Sequence, residues 1–206
     1  MSLTADKKNR GDTLIEVLFA TAVFSLVAVG CLSIMNQGTA TAQRALEITL
    51  VRNEVDAQAE TLRFLNASYI SKYPDISAGS IASQWQNMIT DIGETDNTTD
   101  AADLSNCTRP TGSFILNTHR ALYLQPMDVN RPGPAVVFSR VVYDINDNVT
   151  SVEGIWIEAV KPNIPLGHGQ DNADYIDFHI RACWDSPGQS APVTLGTIVR
   201  LYEPHT

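Results

Sequence analysis

The chain uses cysteine sparingly, keeps proline out of one long stretch and confines its basic clusters to one place. Only three cysteines occur in 206 residues. They form no CxxC pair and no Cys/His spacing of the kind that holds a structural metal, so a metal-nucleated fold is excluded. Proline is missing between Asp12 and Tyr73, and glycine occurs there only as Gly30 and Gly38. Nothing in that stretch forbids one helix of up to about 60 residues, near 90 Å at ~1.5 Å per residue. Lys/Arg clusters are absent beyond the first ten residues, and the formal net charge is −9. That balance argues against direct nucleic-acid binding or attraction to anionic lipid by the bulk of the chain. GxSxG, P-loop and HExxH motifs are all lacking. With no nucleophile–base or metal constellation, an enzyme is the least supported class, and no cofactor is implied.

What the chain does have begins with Lys7, Lys8 and Arg10, then Gly11, Asp12, Thr13, Leu14, Ile15 and Glu16. An apolar run follows from 17 to 35, interrupted only by Ala, Thr, Ser, Gly and Cys. At ~1.5 Å per residue this is roughly 28 Å, the thickness of a bilayer core. The preceding basic residues predict that the leader stays cytoplasmic and the remainder faces outward. Glu16 is the anomaly. An ionised carboxylate in hydrocarbon costs several kcal/mol, so an acid there points to a partner. One turn inside a helix it also suits the positive end of the dipole, and a free amine would neutralise it. The plainer reading is a carboxylate snorkelling to the headgroup boundary.

The basic leader, Gly11, the Thr13-Leu14-Ile15-Glu16-Val17 run and the apolar helix after it resemble the N-terminus of type IV prepilins and of type II secretion pseudopilins. The resemblance covers about the first 40 residues. It implies cleavage between Gly11 and Asp12 by a membrane-embedded prepilin peptidase, followed by methylation of the new amine. It further implies that Glu16 pairs with the Asp12 amine of a neighbouring subunit during assembly. Asp12 departs from the pattern, since the family usually has Phe or Met there, and this favours a minor-pilin-like subunit. Cleavage would remove three cations and one anion, leaving a mature chain of −11. The implied partners are other pilin subunits, the peptidase, the pilus assembly platform, and the membrane through residues 14–35. The implied function is a surface filament for adhesion, motility or DNA uptake, with a secretion pseudopilus as the alternative. Before assembly the protein would be single-pass in the cytoplasmic membrane with its C-terminus outside.

Ala28-Val29-Gly30-Cys31 offers a different reading, a lipobox in which an acylated Cys31 becomes the mature end of a membrane-tethered surface binding protein. Ala28 stands where leucine is usual, and Glu16 would then have no use. An uncleaved membrane anchor is a third possibility.

Beyond the span, Ile48, Val51, Val55, Ala59, Leu62, Leu65 and Tyr69 recur at three- and four-residue steps. With Arg44, Glu47, Arg52, Glu54, Glu60 and Arg63 around them, they predict a helix burying one face against a sheet. Gly30 to Gly38 is the expected weak point of the long helix. Pro74 ends it, and a short amphipathic helix is expected over 80–92 with Ile81, Trp85, Met88 and Ile92 on one face. Residues 93–112 read as a polar surface loop. Strands are expected over 114–125, 135–144, 150–160, 173–184 and 194–202, with a hairpin turn at Asn146-Asp147-Asn148. In the fourth of these, Ile176, Phe178, Ile180, Ala182 and Trp184 should face the helix, while Tyr175, Asp177, His179, Arg181 and Cys183 face away. If this part is exported, Cys107 and Cys183 can form a disulfide over the outer sheet face, worth ~4 kcal/mol; the alternative is two unpaired thiols. Asp144, Asn146, Asn148, Thr150 and Glu153 loosely echo a calcium loop, but Val149 stands where the glycine is required. His119, His168, His179 and His205 are scattered, and His179 reads as solvated.

The expected fold is α+β: a long N-terminal helix, membrane-spanning in its first half, packed on an antiparallel sheet of four or five strands. The expected division is leader 1–11, assembly helix 12–38, outer half-helix 39–74, variable connection 75–112 and sheet headgroup 113–206.

Overall fold

The computed structural model describes residues 12–92, 107–109, 112–124, 134–160 and 175–203. The leader, most of the expected polar loop, His168 and His205 fall outside them. The architecture is α+β. Helix α1 spans Asp12–Lys72 and α2 spans Ile81–Ile92. Seven strands follow: β1 Ile115–Asn117, β2 Leu122–Leu124, β3 Arg140–Tyr143, β4 Val149–Glu153, β5 Ile155–Val160, β6 Tyr175–Trp184 and β7 Val193–Tyr202. The chain divides into two compact units, Met1–Gln43 and Arg44–Thr206.

α1 is helical through both Gly30 and Gly38, and it stops just before Pro74, whose ring cannot continue it. From Arg44 onward the anticipated stripe is the buried face: Val51, Val55, Ala59, Leu62 and Leu65 are at most 3 % exposed, with Ile48 and Tyr69 packed at the margin. α2 starts at a serine cap, where Ser80 Oγ accepts the Ser83 backbone N–H at 3.3 Å. Its apolar side contributes Trp85, Met88 and Ile92 to the same core.

The named strands pair antiparallel, but among the described residues the expected single sheet of four or five strands is replaced by three smaller ones. β1 pairs with β2, β3 with β4, and β5-β6-β7 form a three-stranded sheet. Two local events cause the division. The 114–125 segment folds back on itself because Asn117 Oδ1 accepts the backbone N–H groups of His119 and Arg120, both at 3.1 Å, closing an Asx-type turn. The 150–160 segment is cut at Gly154, whose φ of 60° lies in the left-handed region. A Cβ there would strike the Cys183 carbonyl oxygen and approach both the Ala135 Cβ and the Ser139 Oγ to 2.9 Å. Two isolated bridges add to the three-stranded sheet, Phe114 to Ile157 antiparallel and Ala135 to Trp184 parallel.

The alternation in β6 is as expected. Ile176, Phe178, Ile180, Ala182 and Trp184 are at most 1 % exposed. Phe178 is held edge-on by Trp85 of α2 at 5.6 Å and by Phe114 at 6.3 Å between ring centroids. The β3–β4 hairpin turns at the Asn146 to Asn148 stretch, with Asp147 at φ 56°. Asp144 fixes this turn by accepting the Asn146 and Asn148 backbone N–H groups at 2.7 and 2.9 Å. Its carboxyl is held below the ordinary aspartate range by the Asn148 side-chain and backbone hydrogen bonds. The carboxylate is thus spent on its own turn.

Candidate functional site

The first unit's chemistry lies on α1. From Val17 through Gln43 the sequence carries no charged residue, and its large apolar side chains are turned outward, Phe24 at 74 %, Leu26 at 77 % and Ile34 at 72 % exposed. Among the described residues this is the one helix long and apolar enough to cross a membrane. Four hydroxyls within it find partners on the helix itself: Thr21 donates to the Leu18 carbonyl at 3.0 Å and Ser25 to the Thr21 carbonyl at 2.8 Å. Thr39 and Thr41 do likewise, to the Asn36 and Gln37 carbonyls, both at 2.9 Å. A helix that satisfies its own polar groups can shed water without leaving donors orphaned.

Asp12 is the first residue of α1, and Glu16 lies one turn further along it, exposed. The two sit at i and i+4, about 6 Å apart along the axis. Both lie in the first described turns of the helix. Gly11 lies outside the described residues.

In the second unit Cys107 and Cys183 are joined in a disulfide, with Cα atoms 5.8 Å apart and a sequence separation of 76. With Trp156 they form a small cluster separate from the main core. This is the outward side of β6, where the parity of Cys183 puts it. Cys31 is a free thiol in α1.

Three polar residues that the periodicity did not single out tie α1 to the strands and the segment after β6, and a fourth joins β5 to β6 on the outer face. Glu47, expected among the polar surroundings of the stripe, is only 4 % exposed. It accepts from Trp184 Nε1 at 3.2 Å and from Ser186 Oγ at 2.7 Å. Gln58 is fully buried and exchanges two hydrogen bonds with the Leu116 backbone, donating to its carbonyl at 2.9 Å and accepting its N–H at 3.0 Å. Asn66 donates to the Tyr202 carbonyl at 3.1 Å. On the outer face, Glu158 is 6 % exposed, accepts from Trp156 Nε1 at 2.6 Å and lies 3.2 Å from Arg181 Nε. The signal for the first three was their place on the stripe: Gln58 is three residues after Val55 and four before Leu62.

His179 corrects the expectation of a solvated ring. It is half-buried directly opposite Glu158, and Arg181 Nη2 lies 3.3 Å from its Nδ1. Burial, helped by the nearby Arg181 charge, holds its pKa below the ordinary histidine value. Asp177 is lowered instead, by the Arg200 guanidinium that donates to both of its carboxylate oxygens at 2.7 Å. His119 stacks on Tyr143 with ring centroids 3.9 Å apart and meets Asp147 Oδ1 at 2.7 Å, tying the β1–β2 turn to the β3–β4 turn. Among the described residues no group of three or more His, Cys, Asp or Glu side chains is arranged to hold a metal ion.

Set against known proteins, the chain matches no family model, no curated protein and no solved structure.

Proposed function

We propose that this chain is a pilin-like subunit: inserted in the membrane by the first half of α1, cut after Gly11, and polymerised through packing of apolar helices into a surface filament. The observation that carries the reading is Glu16, an acid standing one turn into a helix that then runs uncharged from Val17 to Gln43. A carboxylate at that place is stable in an apolar surrounding only when matched, and the Asp12 amine of an adjacent subunit supplies the match. The separately packed, disulfide-linked unit from Arg44 onward suits a headgroup exposed outside the cell. Within this reading Asp12 favours a minor subunit, and the motor, peptidase and platform are other chains.

Glu16→Ala tests it. The variant should insert and be processed as the wild type is, yet be at least tenfold depleted from sheared filaments, measured by immunoblot of membrane and filament fractions. Normal abundance in the filament fraction removes the assembly role. The mass of the mature N-terminus separates the readings further. A free or methylated Asp12 supports the subunit, whereas an acylated Cys31 supports a tethered surface protein.

A further inference from the structure

On the outer face of the three-stranded sheet, β5 and β6 hold an ion pair that is nearly closed to water yet incompletely bonded. Glu158 is 6 % exposed. Its Oε1 accepts from Trp156 Nε1 at 2.6 Å, while its Oε2 is buried with no hydrogen-bond partner among the described residues. Arg181 stands beside it, with Nε 3.2 Å from Oε1. The N–H does not line up on that oxygen, so Arg181 Nε is also buried without a hydrogen bond. A guanidinium and a carboxylate this close commonly pair through two parallel bonds. Here the two orphaned atoms belong to one pair that stops short of that geometry. Leaving buried polar atoms unbonded costs free energy, so a second demand on the arginine must hold it off.

That demand comes from His179. It lies opposite Glu158 in the β5–β6 register and two residues before Arg181, on the same face of β6. Arg181 Nη2 is 3.3 Å from its Nδ1. A guanidinium has no acceptor, so the ring nitrogen must accept. The contact therefore exists only for a neutral ring that carries its proton on Nε2. A proton on Nδ1 would set two cations against each other. Around the ring, β7 places the uncharged Ile198 directly opposite. Asp177, on the ring's own strand, is bound at both oxygens by Arg200 of β7. Of the two carboxylates whose charge reaches His179, Glu158 is the one with an unbonded oxygen.

We propose that Arg181 is a latch worked by the His179 proton. While the ring is neutral, the arginine is divided between Glu158 and His179. When Nδ1 gains a proton, Arg181 leaves the ring and closes on Glu158 through Nε and one Nη. One side-chain movement then satisfies both orphaned atoms, and the outer face gains a positive charge at the freed ring. Burial and the Arg181 charge hold the His179 pKa below the ordinary value of 6.5. The latch is therefore open at neutral pH and closes in mildly acidic surroundings. With the folded value lowered, the ring's contribution to stability is complete above 6.5 and is lost as pH falls through the folded value. Closure on Glu158 returns part of that loss. The device uses no residue of α1, so it stands apart from the filament reading.

The test is a pH titration of the isotope-labelled full chain in detergent micelles, following the His179 ring nitrogens and the Arg181 Nε–H by magnetic resonance. At neutral pH the ring should show a bare Nδ1 and a protonated Nε2. On acidification the Arg181 Nε–H signal should move with the same midpoint as the ring. Its exchange with water should slow by roughly tenfold as it becomes bonded. His179→Gln should abolish this dependence, which separates it from the carboxylates that titrate at the acid end. Glu158→Gln keeps the bulk but offers a single acceptor oxygen, so Arg181 exchange should stay fast while His179 titrates. A proton on Nδ1 at neutral pH, an Arg181 signal indifferent to the His179 titration, or the same transition surviving in H179Q overturns the proposal.

Discussion

Glu54 occupies an uneasy position on α1: its Oε1 atom is buried with no hydrogen-bond partner. Burial pushes its pKa above the ordinary value of 4.5, only partly opposed by the Val141 backbone hydrogen bond and the His119 charge. A carboxyl raised by folding adds stability that is fully present below its unfolded value and is lost as pH rises through the folded one. Glu54→Gln should therefore be the more stable protein at pH 7 in urea denaturation, with the difference shrinking as pH is lowered from 7 toward 4.5 and gone below it. A constant difference across that range would assign the effect to packing instead of charge. Gly154 makes the opposite kind of demand, one on shape. Its carbonyl accepts the Cys183 N–H at 2.7 Å, and its left-handed φ of 60° leaves no room for a side chain. Gly154→Ala should cost about 3 kcal/mol, from backbone strain and the clash together, read as a shift of the urea midpoint. A cost below about 1 kcal/mol would show that the β4–β5 junction relaxes around the methyl.

At the level of elements, some parts of the fold are legible in the residues and others are hidden for definable reasons. The stripe from Ile48 to Tyr69 and the alternation in β6 can be read because each side chain's polarity there agrees with its burial. The strand over 150–160 reads as one because Thr150 to Val160 is rich in branched residues, and a lone glycine is easily passed over. Gly154 was the signal for the break. The 114–125 segment misleads in the same way, since Asn117 turns the chain through its side chain and not through any glycine or proline. Gln58 is missed because a polar residue is not expected on a core face. Its two bonds to Leu116 take the place of a strand partner for β1, so the helix supplies part of that edge. Gln58→Leu keeps the bulk and orphans both Leu116 groups, which predicts a loss of roughly 2–6 kcal/mol at about one to three per buried group. Amide exchange at Leu116 should quicken together with that loss. Unchanged exchange there would mean another acceptor replaces the glutamine.

For the whole molecule, the two units draw on different physics, and this decides what each betrays in sequence. The unit up to Gln43 is recognisable from composition alone, because an uncharged run of membrane length needs no tertiary information. Its role is another matter, resting on one acid and its neighbours. The unit from Arg44 depends on long-range pairing, so its sheet could be expected in kind but not in its division into three. The disulfide lies between these cases. Parity places Cys183 on the outer face of β6, but only the structure shows that Cys107 and Trp156 make a cluster apart from the main core. The bond therefore should act mainly on the unfolded chain, by closing a loop across 76 residues of sequence separation. Replacing both cysteines with serine should cost about 4 kcal/mol in denaturant. The near-ultraviolet signature of Trp85 against Phe178, which sits in the other cluster, should persist in the folded variant. Loss of that signature under native conditions would mean instead that the bridge organises the core itself. An unmoved midpoint would mean that the unfolded chain is already constrained without it.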